Sequence, residues 1–245
     1  MLDPNFSNRL LKSGHLRTIE FIYFLFEDYS KRDLTERTDR SVAISGLEAR
    51  ITGALKCRSG YGIFQRYLHR NLLWQRSDNK MERIVYKNQN VPSWSWMAYN
   101  GGIQFMDIPF GTVDWIDNLR FDKGRELVLI TDVGEFRDCT MEPDGKYYAI
   151  LDFGRRKRGW IQYDAEEDED LFKERCVVVG KKSIEDSEDG DSEDMDSEDG
   201  DRLDVKEYYI LVVRPTSLDS EYKRVGVGLI QSDYVVRQRL NVRVV

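Results

Sequence analysis

The 245 residues, 40% of them hydrophobic and 12% aromatic, suffice for one large domain or two small ones whose core needs no metal or cross-link. The net charge of −7 hides a division. Nineteen of the 44 acids and five of the 37 bases lie between Asp164 and Asp204, so a segment of −14 interrupts a body whose 25 acids and 32 bases make it +7.

The first twenty residues carry Asp3, Arg9, Lys12 and Arg17 with no apolar run between them, which argues against a secretory signal. From Thr18 to Tyr29 the stretch TIEFIYFLFEDY is apolar on most faces, as in a helix wedged between other elements, with a strand as the alternative. Its apolar centre, Phe21 to Phe26, is far shorter than the roughly 20 residues of a membrane span. Asp39 is placed to cap a helix in which Ala43, Leu47, Ile51 and Leu55 recur every fourth residue. Gly46 within it is expected to face a closely packed backbone. A third short helix is expected through IFQRYLHRN, with Ile63, Tyr67 and Leu68 inward.

After Leu72 short β-branched and aromatic runs alternate with Gly, Asn and Asp, the mark of antiparallel strands and hairpins. The strands expected are LLW, SWSWMA, IQF, ELVLIT, YYAILDF, CVVVG, EYYILVV, RVGVGLI and the terminal VRVV. In PSWSW a period of two would put Trp94 and Trp96 on one face and Ser93 and Ser95 on the other. Pro143, Asp144 and Gly145 read as a turn. Ser187 to Asp201 is a five-residue repeat, SEDGD, SEDMD, SEDGD, too polar to bury anything and expected to be a disordered insertion between strands. The whole reads as α+β. A helical N-terminal portion, residues 1–71, packs on a mostly antiparallel β-rich portion, 72–245, which carries the acidic insertion at 164–204. One cooperative domain is expected.

The chemical constellations are few. Aligning Asp189, Asp191 and Glu193 as calcium ligands puts Asp194 where such a loop needs Gly, so no metal site is expected there. Ser183, Ser187, Ser192 and Ser197 could accept phosphate from an acid-directed kinase, Ser183 foremost because Glu185 and Asp186 follow it; a plain solubilising loop is the alternative. His15 and His69 are the only histidines, and no HExxH, CxxC or GxSxG spacing exists. Cys57, Cys139 and Cys176 are odd in number and widely spaced, which argues against a disulfide framework or zinc knuckle and for a reducing, cytoplasmic setting. Gly226 and Gly228 read as strand glycines, not a phosphate cradle. The run Arg155, Arg156, Lys157, Arg158 before Trp160 could contact nucleic acid, or could be an exposed loop paired with the acidic insertion. No catalytic residue and no cofactor is expected.

Three stretches carry a resemblance. YSKRDLTERTDRSVAISGLEARI spans Tyr29 to Ile51 and includes Tyr29, Ser30, Leu34, Thr35, Asp39, Arg40, Ser45, Gly46 and Leu47. LLWQR with Trp74 is followed by VPSWSWMAYNGGI with Pro92, Ser93, Trp94, Ser95 and Trp96. EYYILVVRP and YKRVGVGLI supply Arg224, Gly226 and Gly228. Together they resemble the region that follows the catalytic-type N-terminal domain in fungal heterokaryon-incompatibility (HET) proteins. PSWSW is the most specific of them. The TIR-like N-terminal domain of that family, with its YxWIDxLCI-type and RxWTLQE-type motifs, has no counterpart in this sequence. Val42 stands where the family often has Leu, and Arg58 to Ile63 matches its YxxGLW segment only loosely.

The resemblance implies a non-enzymatic recognition or scaffolding module of self/non-self or cell-death signalling that binds a partner protein through β edges or its helical face. The signature residues are then structural. Two alternatives stand beside it: an enzyme using carboxylates such as Asp107, Asp114 and Glu135, and a nucleic-acid binder using the basic loop.

Overall fold

The computed structural model describes residues 10, 12–77, 80–87, 89–122, 128–165, 170–182 and 206–245. The chain is α+β, with its helices ahead of a large sheet.

Helix α1, Gly14–Ser30, buries one stripe made by Ile19, Ile22, Phe26 and Ser30. The expected wedge is therefore corrected. Leu16, Phe21 and Phe24 lie on the other side and are exposed, Phe24 by 66%. Helix α2, Arg40–Leu55, turns Arg40, Ser41, Ile44, Ile51, Ala54 and Leu55 inward. Ile44 takes the place foreseen for Ala43, which is exposed. Asp39 does sit at the N-cap position, but its backbone is helical and its carboxylate makes no capping bond, because a 3-10 turn at Arg37–Asp39 leads straight into the helix. Gly46 is exposed, and a methyl built on it would meet nothing within 4 Å, so the close packing foreseen there is absent. The third helix is shorter than foreseen. Ile63–Phe64 is extended, Gln65–Tyr67 is a 3-10 turn, and only Leu68–Leu72, α3, is helical. Ile63, Tyr67 and Leu68 are all buried as expected.

Two short strands then pair antiparallel, β1 (Trp74–Arg76) with β2 (Ile103–Phe105). Helix α1 rests on this pair. Ser30 Oγ accepts from the Ile103 N–H at 2.9 Å, Glu27 accepts from the Phe105 N–H at 2.8 Å, and the Tyr23 and Phe105 rings stack at 4.0 Å.

The segment between these strands overturns an expectation. PSWSWMA is not a strand: Pro92 accepts from the Ser95 N–H at 3.0 Å, and Ser95 Oγ caps a 3-10 turn at Trp96–Ala98 by accepting from Met97 N–H. A serine that bonds its own neighbouring backbone stabilises a turn at the expense of a ladder. Trp94 and Trp96 therefore do not share a face. Trp94 meets Phe121, whereas Trp96 meets Phe26 and Tyr29. LLW divides likewise, since Leu72 ends α3 and Trp74 begins β1.

The large sheet is built from β3 (Val113–Trp115), β4 (Arg120–Phe121), β5 (Leu129–Phe136), β6 (Cys139–Asp144), β7 (Tyr147–Asp152), β8 (Lys157–Tyr163), β9 (Arg175–Lys182), β10 (Glu207–Pro215), β11 (Glu221–Gln231) and β12 (Val235–Val244). Five of these close on themselves in chain order. β5, β9, β10 and β11 pair antiparallel one with the next, β12 pairs antiparallel with β5, and two residues of β12 pair parallel with β11. The meander β6-β7-β8 joins the far part of the same β11 edge. Its first turn lies at Gly145, where φ is +64°, so Pro143 and Asp144 belong to the edge strand and not to the bend as foreseen. An edge strand tolerates proline because no neighbour needs its missing N–H.

The runs CVVVG and EYYILVV are apolar throughout because both faces are covered. Val177, Val179, Leu211 and Val213 join a cluster that continues through Trp74, Trp94 and Trp96 to Ile22 and Phe26. Cys176, Val178, Ile210 and Val212 join a second cluster with Ile150, Ile161 and Tyr163. The expected insertion at 164–204 is narrower than drawn. Asp164 is fully buried, and Arg175–Lys182 is a central strand. The repeat, with Ser183, Ser187, Ser192 and Ser197, lies outside the described residues.

Candidate functional site

Part of the signature set, Trp74, Ser93, Trp94 and Arg224, converges on one interior node. Arg224, on β11, is fully buried, and its Nε and Nη2 clamp both carboxylate oxygens of Asp164 at 2.9 and 3.1 Å. Its remaining donors reach the carbonyls of Leu72 and Trp74, each at 2.6 Å, and its guanidinium lies 3.4 Å over the Trp74 ring. A buried charge is tolerated only when paired and fully hydrogen-bonded, and this one is both. Trp74 Nε1 donates to Trp94 O at 2.9 Å. Ser93 Oγ accepts from the Arg224 N–H at 2.8 Å and donates to Val245 O.

A second cation pins the helices. Arg40 donates to Ser30 O at 2.9 Å and Gly101 O at 3.1 Å and lies 5.3 Å from the Trp96 ring centre. Burial holds its pKa below the ordinary value. Tyr29 Oη donates to Arg40 O, and Ser95 Oγ donates to Tyr61 O. Gly226 and Gly228 are explained by close approach. A Cβ on either would fall 2.5 and 2.4 Å from the carbonyls of Gln162 and Trp160 on the neighbouring strand. Pro92, Leu34 and Leu47 are half-buried, while Thr35 and Ser45 are exposed; Ser45 Oγ bonds only its own helix, at Val42 O. Trp74, Trp94 and Trp96 have no solvent exposure, so the node is an interior and not an open cleft.

The three carboxylates weighed as a catalytic set are not assembled. Asp107 is exposed, Glu135 pairs with Arg175 at 3.3 Å, and Asp114 alone lines a cleft. Among the described residues the basic loop finds partners in the adjoining hairpin, and the acidic repeat foreseen as its alternative partner lies outside them. Arg155 meets Glu142, Lys157 meets Asp144 and Arg158 meets Asp152, each at 2.8 Å. His15 sits by Tyr67 at 3.3 Å. His69 Nε2 donates to Ile116 O at 2.8 Å, and burial lowers its pKa. Among the described residues no cluster of His, Cys, Asp and Glu could hold a metal, no helix is long and apolar enough to cross a membrane, and no cysteine is in a disulfide.

The cleft that Asp114 lines arises from a bulge. Along one edge of β9, Cys176 pairs with Gly134 of β5 and from Gly180 onward β3 takes over, while on the opposite edge the register with β10 shifts between Val178 and Gly180. Bulges re-aim an edge and the side chains on it. The link Ile116–Asn118 crosses the split, held by the Ile116 N–H on Val179 O at 3.1 Å and by His69. The resulting cleft of about 550 Å³ is lined by Asp114, Trp115, Asp117, Asn118 and Asp132, with Lys181, Lys206 and Arg237 opposite in sign. Gly180 makes room for the Trp115 ring, which would stand 2.9 Å from any Cβ there. The sequence reading missed Asp117, Asp132, Lys181 and Arg237, and no local signal marks them, because they come from four separate segments.

Comparison with protein-family models, with curated proteins and with solved structures found no match to this chain.

Proposed function

We propose that this chain is a non-enzymatic recognition module of a heterokaryon-incompatibility-like protein, acting by association with a partner protein domain. The observation that carries the reading is the fate of the motif residues. Arg40, Trp74, Ser93, Ser95 and Arg224 spend side-chain polar groups on interior contacts, and the Trp94 and Trp96 rings are fully buried. They specify a scaffold, and recognition is left to its surface. The nucleic-acid reading is weakened by the hairpin carboxylates that face the basic loop, since paired cations release fewer counterions on meeting phosphate.

The test has two arms. The purified chain is incubated with NAD and nucleoside triphosphates, with products followed by chromatography. It is also titrated by calorimetry with the isolated N-terminal domain of a heterokaryon-incompatibility protein. No turnover together with saturable association is expected. Nucleotide breakdown well above the buffer control, or no association with that domain, would sink the proposal.

A further inference from the structure

The split between β3 and β5 along the edge of β9 carries an assignment of its own. We propose that the cleft there binds a small zwitterion, an α-amino acid or dipeptide, holding its ammonium and its carboxylate at separate places. Its volume, about 550 Å³, lies within the range of small-molecule sites, roughly 300 to 1,000 Å³.

The lining charges decide the ligand class. Three carboxylates, Asp114, Asp117 and Asp132, and three cations, Lys181, Lys206 and Arg237, face one space. Among the described residues none of these cations is held in an ion pair. A simple anion would meet the carboxylates, and a simple cation would meet the lysines and the arginine. A nucleic-acid backbone is disfavoured for the same reason as the anion. A molecule with both charges a few ångströms apart is complementary to both walls.

A second observation locates the ammonium end. Asn118 donates through Nδ2 to Asp132, which leaves Oδ1 as the acceptor; that oxygen is buried and has no partner. Asn118 and Asp132 line both the cleft and a smaller void of about 10 Å³, and buried acceptors of this kind are costly unless a donor arrives. The oxygen has no accessible surface, so a ligand ammonium satisfies it by turning the Asn118 amide outward, where the ammonium also faces the Asp132 carboxylate. The carboxylate end then reaches Lys181, Lys206 or Arg237, and the Trp115 indole gives an apolar wall for the carbon skeleton. The assignment is independent of the protein-recognition reading, because it concerns residues that the interior node does not use.

The experiment is a titration of the full chain followed by ¹H–¹⁵N NMR at the Trp115 indole and the Asn118 side-chain amide. The probes are the free amino acids and glycylglycine, with sodium acetate and ethylammonium chloride as single-charge controls. At least one zwitterion is expected to saturate these signals with Kd below about 10 mM. Lys181→Gln combined with Arg237→Gln, and separately Asp132→Asn, should each weaken it about tenfold or more. Far-UV circular dichroism checks that the variants fold, and since Lys181 and Arg237 are at the surface, that pair keeps the test decisive if D132N does not. The proposal is overturned if no zwitterion saturates the signals, if acetate or ethylammonium binds as well, or if the folded variants bind like the parent.

Discussion

Arg224 and Asp164 show how a single ion pair organises this interior. Neither group touches water, and the guanidinium is satisfied by one carboxylate, two carbonyls and an indole face. Removing one partner leaves a buried charge alone. Arg224→Met or Asp164→Leu by itself should therefore destabilise by about 3 to 5 kcal/mol, and the double variant by clearly less than the sum. Urea unfolding of the three variants measures this; additive losses would mean that the pair is not coupled. His69 supplies the acid-side counterpart. Its imidazole is half-buried against Trp115 and donates to Ile116 O, with Asp117 and Arg70 nearby. Burial is the main cause that lowers its pKa below 6.5, and Asp117 opposes it. The unfolded state thus binds the proton more readily, so stability is full above the unfolded value and falls as pH drops below it. Melting temperature should decline between about pH 7 and 5, and H69Q, which keeps a donor for Ile116, should flatten that decline.

Among the elements, α2 is the one whose design departs furthest from its sequence pattern. Leu47 and Ala43 belong to the apolar period, yet the buried stripe runs through Ile44, Ile51 and Leu55, with Arg40 at its head. The C-terminal half of the foreseen stripe holds, with Ile51 and Leu55 buried, and only its head departs, where Ile44 replaces Ala43 beside Arg40 and its contacts to Ser30 and Gly101. Gly46 lies off that stripe in open space. Gly46→Ala should stabilise the fold by about 0.5 to 1 kcal/mol, read as a higher urea midpoint at unchanged slope. A loss of stability would mean that some contact requires the glycine. The PSWSW segment makes the same point with the opposite outcome. Its alternation suits a strand, but local serine bonds and two indoles needed in different places turn it into a capped 3-10 turn.

For the whole molecule, the decisive feature is that one apolar cluster runs from Ile19 on the first helix to Val244 on the last strand. Helices and sheet share Trp74, Trp94 and Trp96 as common ground. Each indole buries roughly 150 to 250 Å², on the order of 4 to 6 kcal/mol at 25 cal/mol per Å² as an upper bound. Neither part is expected to stand without the other. Urea unfolding followed by tryptophan fluorescence and by far-UV circular dichroism should give coincident single transitions. Separated midpoints would show that the helical and β portions fold as distinct units.

What the sequence alone determined is the order of things: helices first, most strands after Leu72, and tryptophans among the largest buried side chains. Those readings rest on local period and composition, which need no knowledge of neighbours. Tertiary structure alone decided the partners. Arg224 meets Asp164 from 60 residues away, and Asp114, Asp132, Lys181 and Arg237 meet at a bulge in a strand. Contacts of that separation depend on ladder register and on closure of the sheet, and no window of sequence contains either.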